Sequence, residues 1–280
     1  MTITTSDQFI NSMGNSSSRI IIDKASLANW AVGNYYSLWR ATGQPGQGAI
    51  PTTAAACSNT LVGSIGFTQQ TPPATSYLGI LEAVQPNAAV TLELHDRLGH
   101  MGGLSGANNV AQGITLQLDT LGSTANLTAR KGDTNYSDVQ WWLEWYTATG
   151  ATASNATVNV TYNDSSSGNL TAFAIGGTAV QATRMIALNN LIPTADSGKY
   201  IMRINNITLS ASTGTAGSFG ATATRYRGAV FMPIANARFT ANYADLGLPE
   251  IYNSSCLFGV VIAGATTSGI FKATGKVIHG

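Results

Sequence analysis

The chain has 280 residues, of which 44% are hydrophobic and only 10% are charged, and its formal net charge is +1. An average soluble domain is about 25% charged, and a near-neutral chain this poor in charge has no broad cationic surface to capture nucleic acid. Disorder needs low hydrophobicity with high net charge, and a membrane-spanning helix needs about 20 apolar residues, whereas the longest apolar run covers only 257–265. The composition therefore predicts a folded protein with neither a nucleic-acid nor a membrane partner.

The first 19 residues are polar and lack the basic and apolar regions of a secretory signal. We expect this segment to be an arm that a partner orders. Without secretion, Cys57 and Cys256 are expected to be buried free thiols in a reducing cytosol. The alternative is a disulfide that closes a very long loop.

Residues 20–40 are predicted to contain a short amphipathic helix. Leu27, Trp30, Tyr35 and Leu38 recur at intervals of three to five residues, and the Gly-Gln-Pro-Gly sequence at 43–46 would end the helix. The predicted organisation is an N-terminal arm with a short helix over 1–49, followed by one β domain over 50–280.

From residue 50 onward, short runs of β-branched and aromatic residues are separated by turn residues. In 157–162 the apolar side chains alternate with polar ones, which is typical of antiparallel strands with one buried and one solvated face. The predicted strands are 60–67, 77–84, 89–95, 113–120, 138–147, 157–162, 170–175, 200–209, 219–224, 229–233 and 257–263. This pattern predicts an all-β fold, an antiparallel β-sandwich of the jelly-roll type.

His95, Asp96 and His100 form the tightest His/Asp group in the sequence. A metal site would need further ligands in a fixed geometry, and His279 is the remaining histidine. We favour the alternative that a strand ends at His95 and that the chain then turns into the glycine-rich segment 99–106. No metal or other cofactor is expected.

The most distinctive hexamer is WWLEWY at 141–146. As a strand it would carry aromatic side chains on both faces, which indicates a strand covered by the core on one side and by a loop or another subunit on the other. Two alternatives stay open: the aromatic rings could stack on a sugar, or Glu144 could serve a glycosidase. A glycosidase would need a second carboxylate within about 5–10 Å.

Long stretches without charge cover 41–81, 205–224 and 251–271. A monomer normally keeps a charged surface to resist association, and protein interfaces are depleted in Lys, Glu and Asp but enriched in aromatic residues and Arg. We therefore expect self-association or contact with a neighbouring protein. The candidate interface residues are Phe9, Ile10, Trp30, Tyr35, Trp39, Trp142, Tyr146, Arg225 and Arg227.

Several segments resemble a family of structural proteins from tailed bacteriophages and prophages. They are LHDRLGHMGGLSG (94–106), WLEWYTATGATA (142–153), ATVNVTY (156–162), TLSASTGTAG (208–217) and the region from LGLPEIY (246–252) to the C-terminus. The resemblance extends from about Ile20 onward, and its motifs are structural rather than catalytic.

This resemblance implies a virion protein that is most similar to a capsid decoration or cement protein. Such proteins have β-sandwich cores, form trimers and clamp neighbouring capsomers with extended arms, and residues 1–18 would be the arm. The implied partners are the major capsid protein and further copies of the chain, on the capsid surface after synthesis in the bacterial cytoplasm. The alternative is a tail or fibre module that binds a host glycan or receptor. The family has no established active-site residues, so no enzymatic activity is expected.

Overall fold

The computed structural model describes residues 2–15, 17–25, 30–71, 74–121, 127–175, 182–266 and 269–280. The helices are α1 (Ser6–Asn15), α2 (Leu127–Arg130) and α3 (Tyr243–Leu246), with 3-10 turns at Leu118–Thr120, Leu188–Leu191 and Thr194–Asp196. The strands are β1 (Ser17–Ala25), β2 (Tyr35–Ser37), β3 (Thr42–Gln44), β4 (Ala55–Ala56), β5 (Ser76–Val84), β6 (Val90–Leu104), β7 (Gln112–Gln117), β8 (Gln140–Thr147), β9 (Asn155–Tyr162), β10 (Ser167–Asn169), β11 (Phe173–Ala174), β12 (Arg184–Ala187), β13 (Ile201–Leu209), β14 (Ser218–Met232), β15 (Phe239–Ala241), β16 (Glu250–Ile251), β17 (Leu257–Ile262) and β18 (Ile270–His279). Within these residues no helix has the length and apolar character to cross a membrane.

The prediction of an all-β, antiparallel fold with a short N-terminal helix is confirmed, but the helix lies in a different place. It is α1, within the segment predicted as an arm. The helix starts with a capping box. The Thr5 hydroxyl accepts a hydrogen bond from the backbone N–H of Gln8 at 3.3 Å, and the side-chain oxygen of Gln8 accepts one from the backbone N–H of Thr5 at 3.3 Å.

The helix predicted over 20–40 is wrong. Ile20, Ile22 and Lys24 are buried on one face of β1 and the intervening residues are exposed, so the chain follows a period of two there. Residues 35–37 form strand β2. The predicted helix start, at 26–29, lies outside the described residues.

The chain forms two compact units. The first contains 1–48, 58–96 and 226–280, and the second contains 49–57 and 97–225. This differs from the predicted division between 1–49 and 50–280, because segments distant in the sequence belong to the same unit.

The first unit has two antiparallel sheets around one core. One sheet has the order β15-β5-β18-β1-β3, with β16 also paired to β5. In the other, β17 lies between β2 and the first half of β6. Their inner faces bury apolar side chains such as Ile20, Leu81, Leu92 and Val261.

The second unit is also built from antiparallel strands around a core of its own. One sheet has the order β10-β9-β13-β7, with β11 also paired to β9, and β8 lies between β14 and β12. The core contains Val158, Ile204, Trp141 and Phe219. A tight turn joins β9 to β10, and across it the Tyr162 backbone N–H donates to the Ser166 carbonyl at 2.8 Å.

Two local predictions are wrong, and glycine is involved in both. In the first, glycines that belong to a strand were interpreted as a loop. In the second, the effect of a glycine within a predicted strand was missed. Strand β6 does not end at His95 but continues to Leu104, and a methyl group at Gly102 would lie 2.7 Å from the ring of Tyr146, so this glycine permits a close approach within a strand. Residues 60–67 form turns rather than a strand. There Gly63 packs against the indole of Trp39, with 2.6 Å between its would-be methyl group and the ring.

Candidate functional site

Five of the nine candidate interface residues are buried within the chain itself, so these five predictions are wrong. The buried ones are Trp30, Trp39, Trp142, Tyr146 and Arg227, each with at most 4% of its surface exposed. A side chain that its own fold already covers offers no surface to a partner. Phe9, Ile10, Tyr35 and Arg225 keep partial or full exposure.

Both faces of strand β8 are buried within the chain. Trp141, Leu143 and Trp145 belong to the core of the second unit. On the opposite face, Glu144 and Tyr146 enter a polar cluster that is also fully buried. The sequence correctly indicated a strand covered on both sides, but no second subunit is needed to cover it.

The centre of this polar cluster is an ion pair between Arg97 on β6 and Glu144 on β8. Arg97 Nη2 lies 2.6 Å from Glu144 Oε2, and Nη1 lies 3.3 Å from Oε1. Arg97 Nη2 also lies 2.9 Å from Tyr146 Oη, 3.0 Å from Thr222 Oγ1 and 2.8 Å from His100 Nδ1. Thr222 in turn donates to Glu144 Oε2.

Electrostatics keeps the Arg97 guanidinium charged and the Tyr146 hydroxyl neutral. Burial by itself lowers the pKa of Arg97, but the adjacent Glu144 carboxylate raises it, and the net result is a pKa above the ordinary value. Burial, followed by the charge of Glu144, raises the pKa of Tyr146. One Nη2 nitrogen has only two protons for its four neighbouring acceptors, so the short contact to the carboxylate takes precedence over the others.

The burial of this cluster removes the basis of both alternative functions assigned to the hexamer. Glu144 is 0% exposed and bonded to Arg97 and Thr222, so it cannot meet a glycosidic bond. The three tryptophans of β8 are at most 3% exposed, so they cannot stack on a sugar. The Arg97–Glu144 pair is a structural element of the second unit.

The His/Asp group also serves the fold. In the first unit, Asp96 accepts hydrogen bonds from Ser255 Oγ and the Cys256 amide, both at 2.9 Å, and His95 Nε2 lies 2.9 Å from Glu93 Oε2. His279 Nδ1 lies 3.0 Å from Ser76 Oγ. Among the residues that the structure describes, no three His, Cys, Asp or Glu side chains are grouped closely enough to hold a metal. The prediction of two buried free thiols is confirmed.

Lys24 is a buried cation in the first unit, and no local pattern in the sequence indicates its burial. It is 2% exposed, and its Nζ donates to the Ala41 and Gly46 carbonyls, both at 3.0 Å. Burial, followed by the positive charge of Arg40, lowers the pKa of Lys24 to about 8. The folded state therefore disfavours the protonated form of Lys24, whereas a lysine in the unfolded chain stays protonated up to about pH 10.5.

We expect this burial to make stability rise with pH between about 8 and 10.5, because the unfolded chain binds more protons there. Below pH 8 the folded chain bears the full cost of the buried charge, roughly 3 kcal/mol for this pKa difference, and above pH 10.5 it bears none. Lys24→Met should abolish the rise, measured by urea unfolding at several pH values. Lys272→Met is the control, because that side chain is 65% exposed. An unchanged pH slope in Lys24→Met would contradict the assignment.

The exposed candidates lie at the N-terminal helix. Phe9 packs against Tyr243 of α3 with 4.4 Å between the ring centres and an angle of 49° between the ring planes. These rings line an open depression of about 540 Å³ together with Ile3, Ile10 and Leu248. Ile10 is 66% exposed and Tyr243 48%. Tyr243 is held there by a second capping box, formed by Asn242 and Asp245. Tyr243 was not among the predicted interface residues, although Asn242 and Asp245 have the spacing of a helix start.

Arg225 and Tyr35 are less available to a partner. Arg225 is half-buried, its Nη2 lies 2.6 Å from Asp138 Oδ2, and its Nη1 donates to the Arg130 carbonyl at 3.3 Å. Tyr35 is half-buried, and burial followed by the charge of Glu93 raises its pKa. The strongest exposed candidate site is therefore the apolar depression beside α1.

No protein-family model matches the chain, and no curated protein matches it in sequence. Several solved structures of infectious bursal disease virus are similar to 94% of the chain. VP2 in a subviral particle has 13% identity over 79% of that chain with a TM-score of 0.19, T=1 particles derived from the virus have 11% over 76% with 0.18, and the Gx strain has 12% over 65% with 0.19. At such low TM-scores these likenesses carry no argument about function.

Proposed function

We propose that this chain is a structural virion protein of a tailed phage. It decorates or cements the capsid by binding major capsid protein subunits at the capsid surface, as a homo-oligomer of three copies. It carries out no reaction, and it is made in the bacterial cytoplasm before it joins the particle. The observation that carries this proposal is that several of the chain's few charged side chains are buried and do not contribute to its surface.

Seven of the 27 charged side chains (14 basic and 13 acidic) are buried. They are Lys24, Asp96, Arg97, Arg130, Lys131, Glu144 and Arg227. The surface is therefore poorer in charge than the composition suggests. A free monomer with such a surface would tend to associate, which supports a role inside an assembly.

Large apolar side chains occupy part of the surface that charged side chains leave free. They lie in both units. Those that are more than half exposed include Ile10, Val32, Val62, Val110, Phe231, Ile234 and Ile270. Large exposed apolar areas mark interaction sites when they are contiguous. In the first unit, Ile10 adjoins the depression lined by Phe9 and Tyr243, and this contiguity favours the α1 region as the capsid contact. The resemblance of the sequence to phage structural proteins supports the same role.

The test is retention of purified protein on shells assembled from the cognate major capsid protein, measured by co-sedimentation. Removing residues 1–18 would cut into strand β1, so a point variant of α1 is the sharper probe. Ile10→Asp should lower the retained amount at least about tenfold, because a carboxylate must then be desolvated in the contact. Its free energy of unfolding should change by no more than about 0.5 kcal/mol, since the side chain is on the surface.

Val110→Asp is the matched control, because Val110 is 62% exposed in the second unit. It should be retained like the unmodified chain. If the unmodified protein does not bind shells, the proposed function is wrong. If it binds and Ile10→Asp binds equally, the capsid contact lies outside α1. The mass of the free protein in solution, measured by light scattering, tests the proposed trimer.

A further inference from the structure

The outer face of the sheet β15-β5-β18-β1-β3 is only partly covered within the first unit. Its inner face contributes Ile20, Ile22 and Phe271 to the core. Helix α1 covers one end of the outer face, where the Ser12 hydroxyl donates to the His279 carbonyl at 2.7 Å and Met13 packs over Gly79. The rest of this outer sheet face, around β1 and the start of β18, is exposed.

The exposed part of the outer sheet face combines apolar and charged side chains. Ile21 is 49% exposed and Ile270 is 52% exposed. Six charged residues lie on this face, four basic and two acidic: Arg19, Asp23, Glu82, Arg238, Lys272 and Lys276. This face therefore has a local excess of two positive charges, whereas the net charge of the whole chain is +1.

Both acidic groups already have basic neighbours within the face. Glu82 Oε2 lies 3.8 Å from Arg238 Nη1, and Glu82 Oε1 accepts from the Thr240 hydroxyl at 3.2 Å. Asp23 Oδ2 lies 3.9 Å from Lys272 Nζ. The excess positive charge therefore belongs to the two remaining basic residues, Arg19 and Lys276.

Arg19 and Lys276 stand directly opposite each other on adjacent strands. Like charges in this position destabilise a sheet. Among the residues that the structure describes, each donates to a neutral acceptor only: Arg19 Nε to Thr274 Oγ1 at 3.0 Å, and Lys276 Nζ to the Met13 carbonyl at 2.9 Å. An ammonium group has three donors and a guanidinium five, so both groups can still bond to an added carboxylate, which would relieve their repulsion.

We propose that the outer sheet face binds an acidic surface of another protein, with a carboxylate held between Arg19 and Lys276 and an apolar side chain against Ile21. A shallow depression of about 280 Å³ beside Arg19 and Ile21, bordered by Glu82 and Lys272, gives room for side chains of the partner. The protein nature of this partner rests on the proposed structural role. A second copy fits less well because two faces of like net charge repel, and nucleic acid fits less well because Asp23 and Glu82 would face its phosphates.

The test is binding of the full chain to poly-L-glutamate at low salt, measured by fluorescence anisotropy. Arg19→Gln/Lys276→Gln should weaken binding by about tenfold. The control pair Lys199→Gln/Arg203→Gln removes the same charge from the second unit and should leave binding within about twofold. Asp23→Asn should strengthen binding about two- to threefold, because it removes a competing carboxylate.

Three results would overturn the proposal: no binding of poly-L-glutamate, equal losses in the two double variants, or tighter binding of a single-stranded oligonucleotide through the same residues. The experiment does not involve capsid shells. A chain that binds poly-L-glutamate through Arg19 and Lys276 but is not retained on shells would therefore refute the proposed function while supporting the acidic-partner site.

Discussion

Glu144→Gln is expected to destabilise the protein by about 3–5 kcal/mol, because it removes one partner of a fully buried ion pair. The substitution preserves the shape of the side chain but leaves the Arg97 guanidinium, which stays charged, without its carboxylate. The other acceptors around Arg97 include the hydroxyl oxygens of Tyr146 and Thr222 and the His100 ring. Urea unfolding measures this loss directly.

A double variant separates the ion pair from simple packing. Arg97→Met/Glu144→Met removes both charges together, and it should cost less than either single substitution, since apolar residues can replace a buried pair at little net cost. Glu82→Gln is the surface control: its partner Arg238 is 3.8 Å away and 73% exposed, so the loss should stay below about 1 kcal/mol. Additive effects of the two single substitutions would show that the pair is not coupled.

Trp39→Ala is expected to cost about 3–5 kcal/mol, the usual range for removing a large buried aromatic side chain. Trp39 is 1% exposed and meets Phe258 edge-on with 6.3 Å between the ring centres. Two glycines fit tightly against its indole, so the pocket has a fixed shape: a methyl group at Gly48 would lie 1.9 Å from the ring and one at Gly63 2.6 Å.

This prediction discriminates between a core residue and an interface residue. If Trp39 contacted a partner, Trp39→Ala would weaken assembly while the free chain kept its stability. We expect the opposite, a lower midpoint of thermal and urea unfolding for the isolated protein. Val62→Ala, next to Gly63 but 70% exposed, should change stability by no more than about 0.5 kcal/mol. Gly48→Ala should also destabilise the protein, by overpacking against Trp39.

Local sequence signals could have located one element that was missed. Thr5 and Gln8 have the spacing of a capping box, and Phe9, Ile10 and Met13 follow at helical intervals, so α1 was predictable in place of an arm. The three consecutive isoleucines at 20–22 hid the alternation of β1, because Ile21 is exposed while its neighbours are buried. Nothing local distinguishes these three identical side chains.

The sequence by itself determined the all-β antiparallel class and the low charge, because period-two patterns and composition are properties of short segments or of the whole chain. Only the tertiary structure decided what covers each strand face. Trp142 and Tyr146 are buried within the chain, and Glu144 pairs with Arg97, 47 residues away in the sequence. Burial and charge pairing depend on groups that are remote in the chain, and for this reason the interface candidates at Trp39 and Trp142 were wrong while the exposed helix residue Ile10 stays a candidate.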